Sequence, residues 1–161
     1  MSRGRFGRWP LIMLCLSIAL FLFTRTHKFL TVDGTSMVPT LDDGNICIVE
    51  SFVEPSRGEI YVLQEPDADP LAIKRLVGVP GDTVELRDEN TYVNGELFDI
   101  DIDGTWEHMI FELGADEYLF LGDNRKDSYD GRYWSRPVHR NEILYRVTIR
   151  IHPISKIGRL G

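Results

Sequence analysis

The sequence predicts a mostly β domain that follows one N-terminal transmembrane helix, and three observations support this. The only long apolar run in the 161-residue chain is Trp9–Thr24. After it, short apolar segments alternate with turns that contain glycine and proline, as in antiparallel β proteins. No later segment keeps the apolar period of an amphipathic helix. Such a pattern predicts a β sandwich or barrel after the helix.

The apolar run is expected to anchor the chain in a membrane. As a helix, Trp9–Thr24 would span roughly 24 Å, and flanking basic side chains can extend it towards the roughly 30 Å hydrocarbon core. No small-x-small site follows, so we expect an uncleaved anchor rather than a removable leader. We therefore divide the chain into a basic N-terminus at residues 1–8, a transmembrane anchor at 9–25 and an outer β domain at 29–161.

Basic residues indicate how the anchor is oriented. Arg3, Arg5 and Arg8 precede it, whereas Arg25 and Lys28 follow it. The positive-inside rule then places the N-terminus in the cytoplasm and the β domain outside the cytoplasmic (inner) membrane, in a periplasmic or exterior position. The lipid bilayer is thus an expected partner of a single-pass protein.

Charge and composition exclude several classes of function. The chain has 25 acidic and 18 basic residues, and residues 1–28 contain no acid, so the outer domain is strongly acidic. This argues against nucleic acid as a partner. Cys15 and Cys47 are expected to behave as small apolar side chains. The four histidines lack metal-ligand spacing, so we expect neither a metal nor a cofactor.

The strands predicted in the outer domain are short. They are Phe29–Val32, Ile46–Val49, Ile60–Leu63, Ala72–Val77, Thr83–Arg87, Thr91–Val93, Glu117–Leu121 and Val147–Ile151. Asn94-Gly95 predicts a hairpin turn. Residues 66–70 and 99–105 are predicted to be acidic surface loops.

One serine and one lysine form the candidate catalytic pair. Ser36 lies in a predicted turn, and a serine hydroxyl needs a neighbouring base to act as a nucleophile. Lys74 lies in an apolar run, where desolvation would disfavour its ammonium form. We therefore predict a Ser–Lys dyad. From the residues alone, a turn serine bonded to its own backbone and a solvated strand lysine are the alternatives.

The residues beside Ser36 are predicted to have structural roles. Pro39 would stiffen the chain after the nucleophile, and Met37 would fill apolar space beneath it. The backbone N–H of Ser36 is the first candidate donor to an oxyanion. Gly34 has no side-chain donor and suits a backbone with positive φ.

Three sequence blocks occur in order behind the predicted anchor. They are Ser36-Met37-Val38-Pro39-Thr40-Leu41, Lys74-Arg75-Leu76-Val77-Gly78-Val79-Pro80-Gly81-Asp82, and Gly122-Asp123-Asn124-Arg125 with Ser128 and Asp130. Together they resemble the bacterial type I signal peptidases, the leader peptidase family. The resemblance extends from about residue 9 to the C-terminus.

The resemblance implies a fold and an activity. The fold would consist of packed antiparallel sheets, and the activity would be that of a hydrolase, a serine endopeptidase that removes N-terminal signal peptides from exported proteins. Secretory precursors would be its partners, and it would need no cofactor. We also expect a monomer.

The resemblance also implies roles for individual residues. Ser36 would be the nucleophile and Lys74 the base, while Ser128 would hydrogen-bond the lysine and orient it. Gly34 would stand where many relatives place a second oxyanion donor. Further residues would fix the site's shape: an ion pair between Asp130 and Arg132, and loop contacts from Asp123 and Asn124. The chain departs from the family pattern in having Gly131 where a serine is usual and Ser135 where a glycine is usual.

Two other functions stay open at this point. One is a specialised Ser–Lys processing protease with a single dedicated substrate. The other is a non-catalytic, membrane-anchored binding module, against which the presence of Ser36, Lys74 and Ser128 argues.

Substrate binding would use an extended peptide along a strand edge. Small side chains one and three residues before the cut would point the same way, because strand residues alternate faces. Val32, Ile46, Ile48 and Leu76 are the candidates for lining their pockets.

Overall fold

The computed structural model describes residues 9–51, 54–68, 70–100 and 108–160. Helix α1 spans Trp9–Thr26, and the strands are β1 (His27–Thr31), β2 (Ile46–Glu50), β3 (Ile60–Gln64), β4 (Leu71–Gly78), β5 (Thr83–Arg87), β6 (Asn90–Val93), β7 (Glu96–Ile100), β8 (Met109–Glu112), β9 (Glu117–Leu121), β10 (Val138–His139), β11 (Ile143–His152) and β12 (Gly158–Arg159). The predicted basic N-terminus at 1–8 and most of the predicted loop at 99–105 lie outside the described residues.

Helix α1 corresponds to the predicted anchor. It contains 18 residues and no acid in its first turn, and it is long and apolar enough to cross a membrane by length and composition. Strand β1 begins at His27, directly after the helix. The Ser51 N–H donates to the Thr26 carbonyl at 2.9 Å, so the helix end is tied to the β domain.

The strands form two antiparallel sheets. The larger sheet has the order β1-β2-β11-β3-β4-β9-β10, with β12 paired to β11, and the smaller has the order β7-β6-β5-β8. Every described strand pair is antiparallel. The predicted mostly β fold of antiparallel sheets is confirmed.

Strand β3 is a continuous apolar run because both of its faces are buried. Ile60 and Val62 belong to one buried cluster, whereas Tyr61 and Leu63 belong to another. Successive strand residues point to opposite faces, so a strand covered on both faces needs apolar side chains at every position. Neighbours β11 and β4 pair with β3 on its two edges.

A third buried cluster joins the two sheets. It combines Val77 of β4 and Leu121 of β9 in the larger sheet with Val84 and Leu86 of β5 in the smaller one. Gly78 lies between these elements, where an added Cβ would come within 2.5 Å of a Leu113 methyl group and 2.7 Å of a Val84 methyl group. The close approach explains the glycine at the end of β4.

The strand predictions were correct for segments in which apolar residues repeat, but other strands were missed. Strands β7, β8, β10, β12 and the first half of β11 were not predicted. The hairpin prediction is confirmed, since Asn94 (φ 54°) and Gly95 (φ 83°) join β6 to β7. The predicted loop at 99–105 is wrong in its first two residues, which complete β7 because they pair with β6.

We predict that Gly78→Ala lowers the free energy of unfolding by about 1–3 kcal/mol, since the new methyl group overpacks the junction of the two sheets. Gly158→Ala is the matched control, because nothing lies within 4 Å of the Cβ it would add. Thermal unfolding of both full-length variants in detergent measures the difference. Equal melting temperatures would contradict the close packing at Gly78.

Candidate active site

Ser36 lies in the loop that joins β1 to β2. The Val32 N–H donates to the Asn45 carbonyl at 2.8 Å and closes the base of this loop, while the Leu41 N–H donates to the Met37 carbonyl at 2.8 Å within it. Met37 and Leu41 are both buried in the core cluster beside β2. The two apolar side chains fix the loop to the domain and leave Ser36 half-buried at its surface.

Gly34 and Pro39 flank the serine. Gly34 has φ +95°, a left-handed conformation that favours glycine. Its N–H donates to a carboxylate oxygen of Asp43 at 2.9 Å, so this amide is already engaged. The peptide bond between Val38 and Pro39 is cis.

Lys74 brings its amine to the Ser36 hydroxyl. Its Nζ lies 3.0 Å from the Ser36 Oγ, and the residue is only 5% exposed. Burial lowers the pKa of Lys74, against the opposing charges of Asp130 and Glu65, while Arg132 lowers this pKa further. An amine of reduced pKa within hydrogen-bond reach of a hydroxyl has the geometry of a base beside its nucleophile.

The pair opens onto a cleft of about 230 Å³. Strand β4 pairs with β9 only at Arg75, Leu76 and Gly78, so among the described strand pairs the edge of Leu71–Lys74 that faces away from β3 has no partner. An extended peptide could add to such an edge. The cleft is lined by Leu30, Thr31, Val32, Asp33, Gly34, Ser36, Met37, Val62, Glu65, Leu71, Ala72, Ile73 and Lys74.

Of the four residues predicted to line pockets for substrate side chains, only Val32 lines this cleft. The prediction was wrong for Leu76, which is fully buried in the core beneath β3 and β4. It was also wrong for Ile46 and Ile48 of β2. Their neighbours Cys47 and Val49 face the core cluster beside β2, so Ile46 and Ile48 point to the other face.

The segment after β9 holds the serine loop in place through Asn124. The Asn124 backbone N–H donates to the Ser36 carbonyl at 2.9 Å, and its side-chain amide donates to the Thr35 carbonyl at 3.1 Å. Two consecutive carbonyls of the serine loop therefore bond to one residue. The predicted contribution of Asn124 to the loop takes this form.

Asp130 and Arg132 form a buried ion pair at 2.7 Å, and both side chains are fully buried. Asp130 also accepts the Gly122 N–H at 2.9 Å. Arg132 donates to the carbonyls of Arg125 at 2.7 Å and Ser128 at 3.1 Å. The pair thus closes the segment from Gly122 to Arg132 onto itself.

Asp123 binds the residue that follows the lysine. Two oxygens of its carboxylate accept hydrogen bonds from Arg75 at 2.8 and 2.6 Å. This contact raises the pKa of Arg75, because it stabilises the charged guanidinium. Alternation along β4 thus gives Lys74 and Arg75 opposite surroundings.

The hydrogen bond predicted between Ser128 and Lys74 is not present. Ser128 is buried, yet its hydroxyl oxygen has no hydrogen-bond partner in the described part of the chain. The hydroxyl packs instead against Gly122, where an added Cβ would overlap it and lie 2.6 Å from the Ser36 carbonyl oxygen. Only a glycine fits between these two segments.

The departures from the family pattern fit the packing around β9. A Cβ on Gly131 would lie 2.7 Å from a Leu119 methyl group and 2.8 Å from the Phe120 carbonyl oxygen. Ser135 donates its N–H to the Asp67 carboxylate at 2.7 Å. The chain therefore passes β9 closely at Gly131 and uses Ser135 to hold a neighbouring loop.

Sequence reasoning did not include Arg125 and Glu65 among the site residues. Arg125 is buried and donates to the Gly122 carbonyl at 2.7 Å and the Thr91 hydroxyl at 3.0 Å, which links the loop to the smaller sheet. No local pattern predicts such distant partners. Glu65 directly follows β3 and lines the cleft, and its placement there depends on how β3 pairs with β4.

The structure offers no candidate metal centre within the described ranges, where no three His, Cys, Asp or Glu side chains converge. Two of the histidines have other contacts. His108 lies 2.7 Å from a Glu85 carboxylate oxygen, and His139 lies 3.0 Å from the Asp116 carbonyl oxygen.

Comparison with known proteins gives the family. The profile described as signal peptidase, peptidase S26, matches residues 5–152. The chain belongs to this family. The resemblance noted in the three sequence blocks is thereby confirmed, and the protein is a serine endopeptidase.

Individual members of the signal peptidase family show how far the similarity extends. The probable signal peptidase I-2 of Synechocystis sp. is 34% identical over 167 residues, which cover 96% of this chain and 75% of the relative. Signal peptidase I of Leptolyngbya laminosa is 33% identical, with 91% and 80% covered. The crystal structure of a signal peptidase I from Enterococcus faecalis superimposes with a TM-score of 0.51 at 26% identity, over 58% of this chain and 96% of that one.

We expect Asp130→Asn to destabilise this signal peptidase family member by about 3–5 kcal/mol, because Arg132 would keep a buried charge without its carboxylate. Asp127→Asn, at an exposed position in the same loop, should change stability little. Chemical unfolding of the full-length variants in detergent distinguishes them. A similar small effect for both would show that the ion pair does not hold the loop.

Proposed function

We propose that this protein is a membrane-anchored serine endopeptidase that removes N-terminal signal peptides from exported proteins, with Ser36 as nucleophile and Lys74 as general base. The main support is the 3.0 Å distance between the Lys74 Nζ and the Ser36 Oγ, together with the burial of the lysine. The names of the relatives, signal peptidase I, support the class of substrate.

Acylation would begin with a precursor extended along the open edge of β4. The Ser36 Oγ attacks the scissile carbonyl carbon while the neutral Lys74 amine takes the hydroxyl proton. The Ser36 backbone N–H is the candidate donor to the resulting oxyanion, since the Gly34 N–H is engaged by Asp43. When the C–N bond breaks, the Lys74 ammonium returns the proton to the leaving amine, and the signal peptide stays as an ester on Ser36.

Deacylation would repeat these steps with water. Lys74 takes a proton from the water, the hydroxide attacks the ester carbonyl, and the Lys74 ammonium then protonates the departing Ser36 oxygen. Apart from the precursor and water, the groups that take part in these steps are Ser36 and Lys74. Asp123, Asn124, Asp130 and Arg132 are proposed to hold the loop against the nucleophile, whereas Ser128, which makes no hydrogen bond to Lys74, is not given the orienting role.

Helix α1 is proposed to anchor the enzyme in the cytoplasmic membrane, with the N-terminus inside and the catalytic domain outside. Its length and composition support the span. The excess of arginines before it supports the orientation. Exported precursors emerge at that outer surface, where their cleavage sites would meet Ser36.

We predict that Ser36→Ala and Lys74→Ala each lower kcat for cleavage by at least about 10³-fold, since each removes one member of a nucleophile–base pair. Mass spectrometry of a precursor with an Ala-x-Ala site should give a cut after the second alanine with the full-length enzyme in detergent. Lys126→Ala, at an exposed position, serves as the control. Appreciable turnover by either dyad variant, while it remains folded, would refute the assignment.

The pH dependence of cleavage provides an independent prediction. The neutral amine is the active form of Lys74, so kcat/KM should rise with pH through the lysine pKa and then level off. Because burial lowers this pKa, the rise should occur below the range of an exposed lysine. Initial rates on a peptide substrate across pH measure the profile. A rate that does not change from acidic pH upwards would argue against a lysine base.

A further inference from the structure

One carboxylate lies near Lys74, where the charge of the lysine acts on its pKa. In the pairing of β3 with β4, Tyr61 is opposite Lys74 and Leu63 is opposite Ala72. Glu65 directly follows Gln64, the last residue of β3, which is opposite Leu71 of β4. It lines the same cleft as Ser36 and Lys74.

The surroundings of Glu65 leave its carboxylate unpaired. It is half-buried, and none of the described residues donates a hydrogen bond to it or forms an ion pair with it. Burial raises the pKa of Glu65, the charge of Lys74 opposes this, and Asp67 adds to it. A carboxylate partly removed from water and without a donor is stabilised by any cation that enters the cleft.

Lys74 is not that cation in the enzyme form that binds a substrate and starts the reaction. It must be neutral to accept the Ser36 proton, so the charge facing Glu65 is absent in the active form. The other charged groups that face Lys74 are Asp130 and Arg132, which are bound to each other. Among the described lining residues there is no arginine and no histidine, and the remaining charged one is the exposed Asp33.

We propose that Glu65 is a specificity-determining residue, whose carboxylate favours precursors with a lysine or arginine close to the scissile bond. The cationic side chain lies in the cleft beside Ala72 and pairs with Glu65, while a glutamate at the same position is repelled. This inference rests on the proposed function, because it assigns a substrate preference to that site. It also gives a physical basis for a narrower choice of substrates than an Ala-x-Ala site alone would require.

The test uses the full-length enzyme in detergent and a set of peptides that share one Ala-x-Ala site. The positions varied are those within three residues of the cut on either side, except the two alanines. In each peptide one of these positions carries lysine, glutamine or glutamate. At one position the lysine peptide should exceed the glutamine peptide in kcat/KM by about five- to tenfold at low salt, as for a partly desolvated charge pair. The ratio should shrink as salt is added.

Variants at Glu65 identify the group responsible. Glu65→Gln should reduce the lysine-to-glutamine ratio to about twofold or less, and Glu65→Lys should reverse the preference towards the glutamate peptide, since the sign of the charge is reversed. Glu54→Gln is the matched control, because its side chain is 93% exposed and lies outside the described cleft lining, and it should keep the wild-type ratio. A merely structural role for Glu65 would alter all peptides equally.

Each outcome separates this inference from the function on which it rests. Cleavage of no peptide by the wild-type enzyme would overturn both. Cleavage of the lysine, glutamine and glutamate peptides at equal rates at every position would leave the peptidase intact and overturn the role of Glu65. A wild-type preference that survives in Glu65→Gln and Glu65→Lys would likewise overturn it.

Discussion

A lysine held out of water beside a serine is the constraint on which the rest of the domain depends. Removing an ammonium group from water is unfavourable, so burial shifts Lys74 towards its neutral form. Strand β4 provides this setting because Ala72 and Leu76, on the same face as Lys74, are themselves buried. One residue later, Arg75 points the other way and binds Asp123. A single strand therefore carries both Arg75, whose charge is paired with Asp123, and Lys74, whose burial favours the neutral amine.

The second requirement is to bring a distant loop to that amine. Ser36 and Lys74 are 38 residues apart in the chain, and no strand pairing joins β1 directly to β4. The segment after β9 bridges them, with Asn124 bound to the serine loop and Asp123 bound to β4. Gly122 allows the close approach of the two loops. The buried pair of Asp130 and Arg132 gives this bridge a fixed shape, so the geometry of the site depends on a loop that contributes neither the nucleophile nor the base.

Local chemistry was sufficient to predict much of this architecture. Helix α1 and the central strands follow from apolar runs and alternation, because burial on one or two faces imposes that spacing. The pairing of Ser36 with Lys74 was predicted because a serine needs a base and Lys74 lies in an apolar run, and the resemblance of the three sequence blocks favoured this pairing over the structural alternatives. The contacts of Arg125 and the position of Glu65 could not be derived in the same way. They depend on the register between strands and on which segments cross, and these are decided by packing over the whole domain. The strands β7 and β10 were missed for the same reason, since hydrogen bonds to neighbours define them more than their own composition does.

The direct connection of helix α1 to β1 has a consequence for which peptide bond of a precursor would be cut. There is no flexible linker between Thr26 and His27, and the Thr26 carbonyl is bonded to Ser51. The five residues of β1 extend about 17 Å at roughly 3.3 Å per residue. In the proposed topology, this strand acts as a spacer of fixed length between the bilayer and the nucleophile. A precursor would then be selected by the distance of its small residues from the membrane surface as well as by their identity.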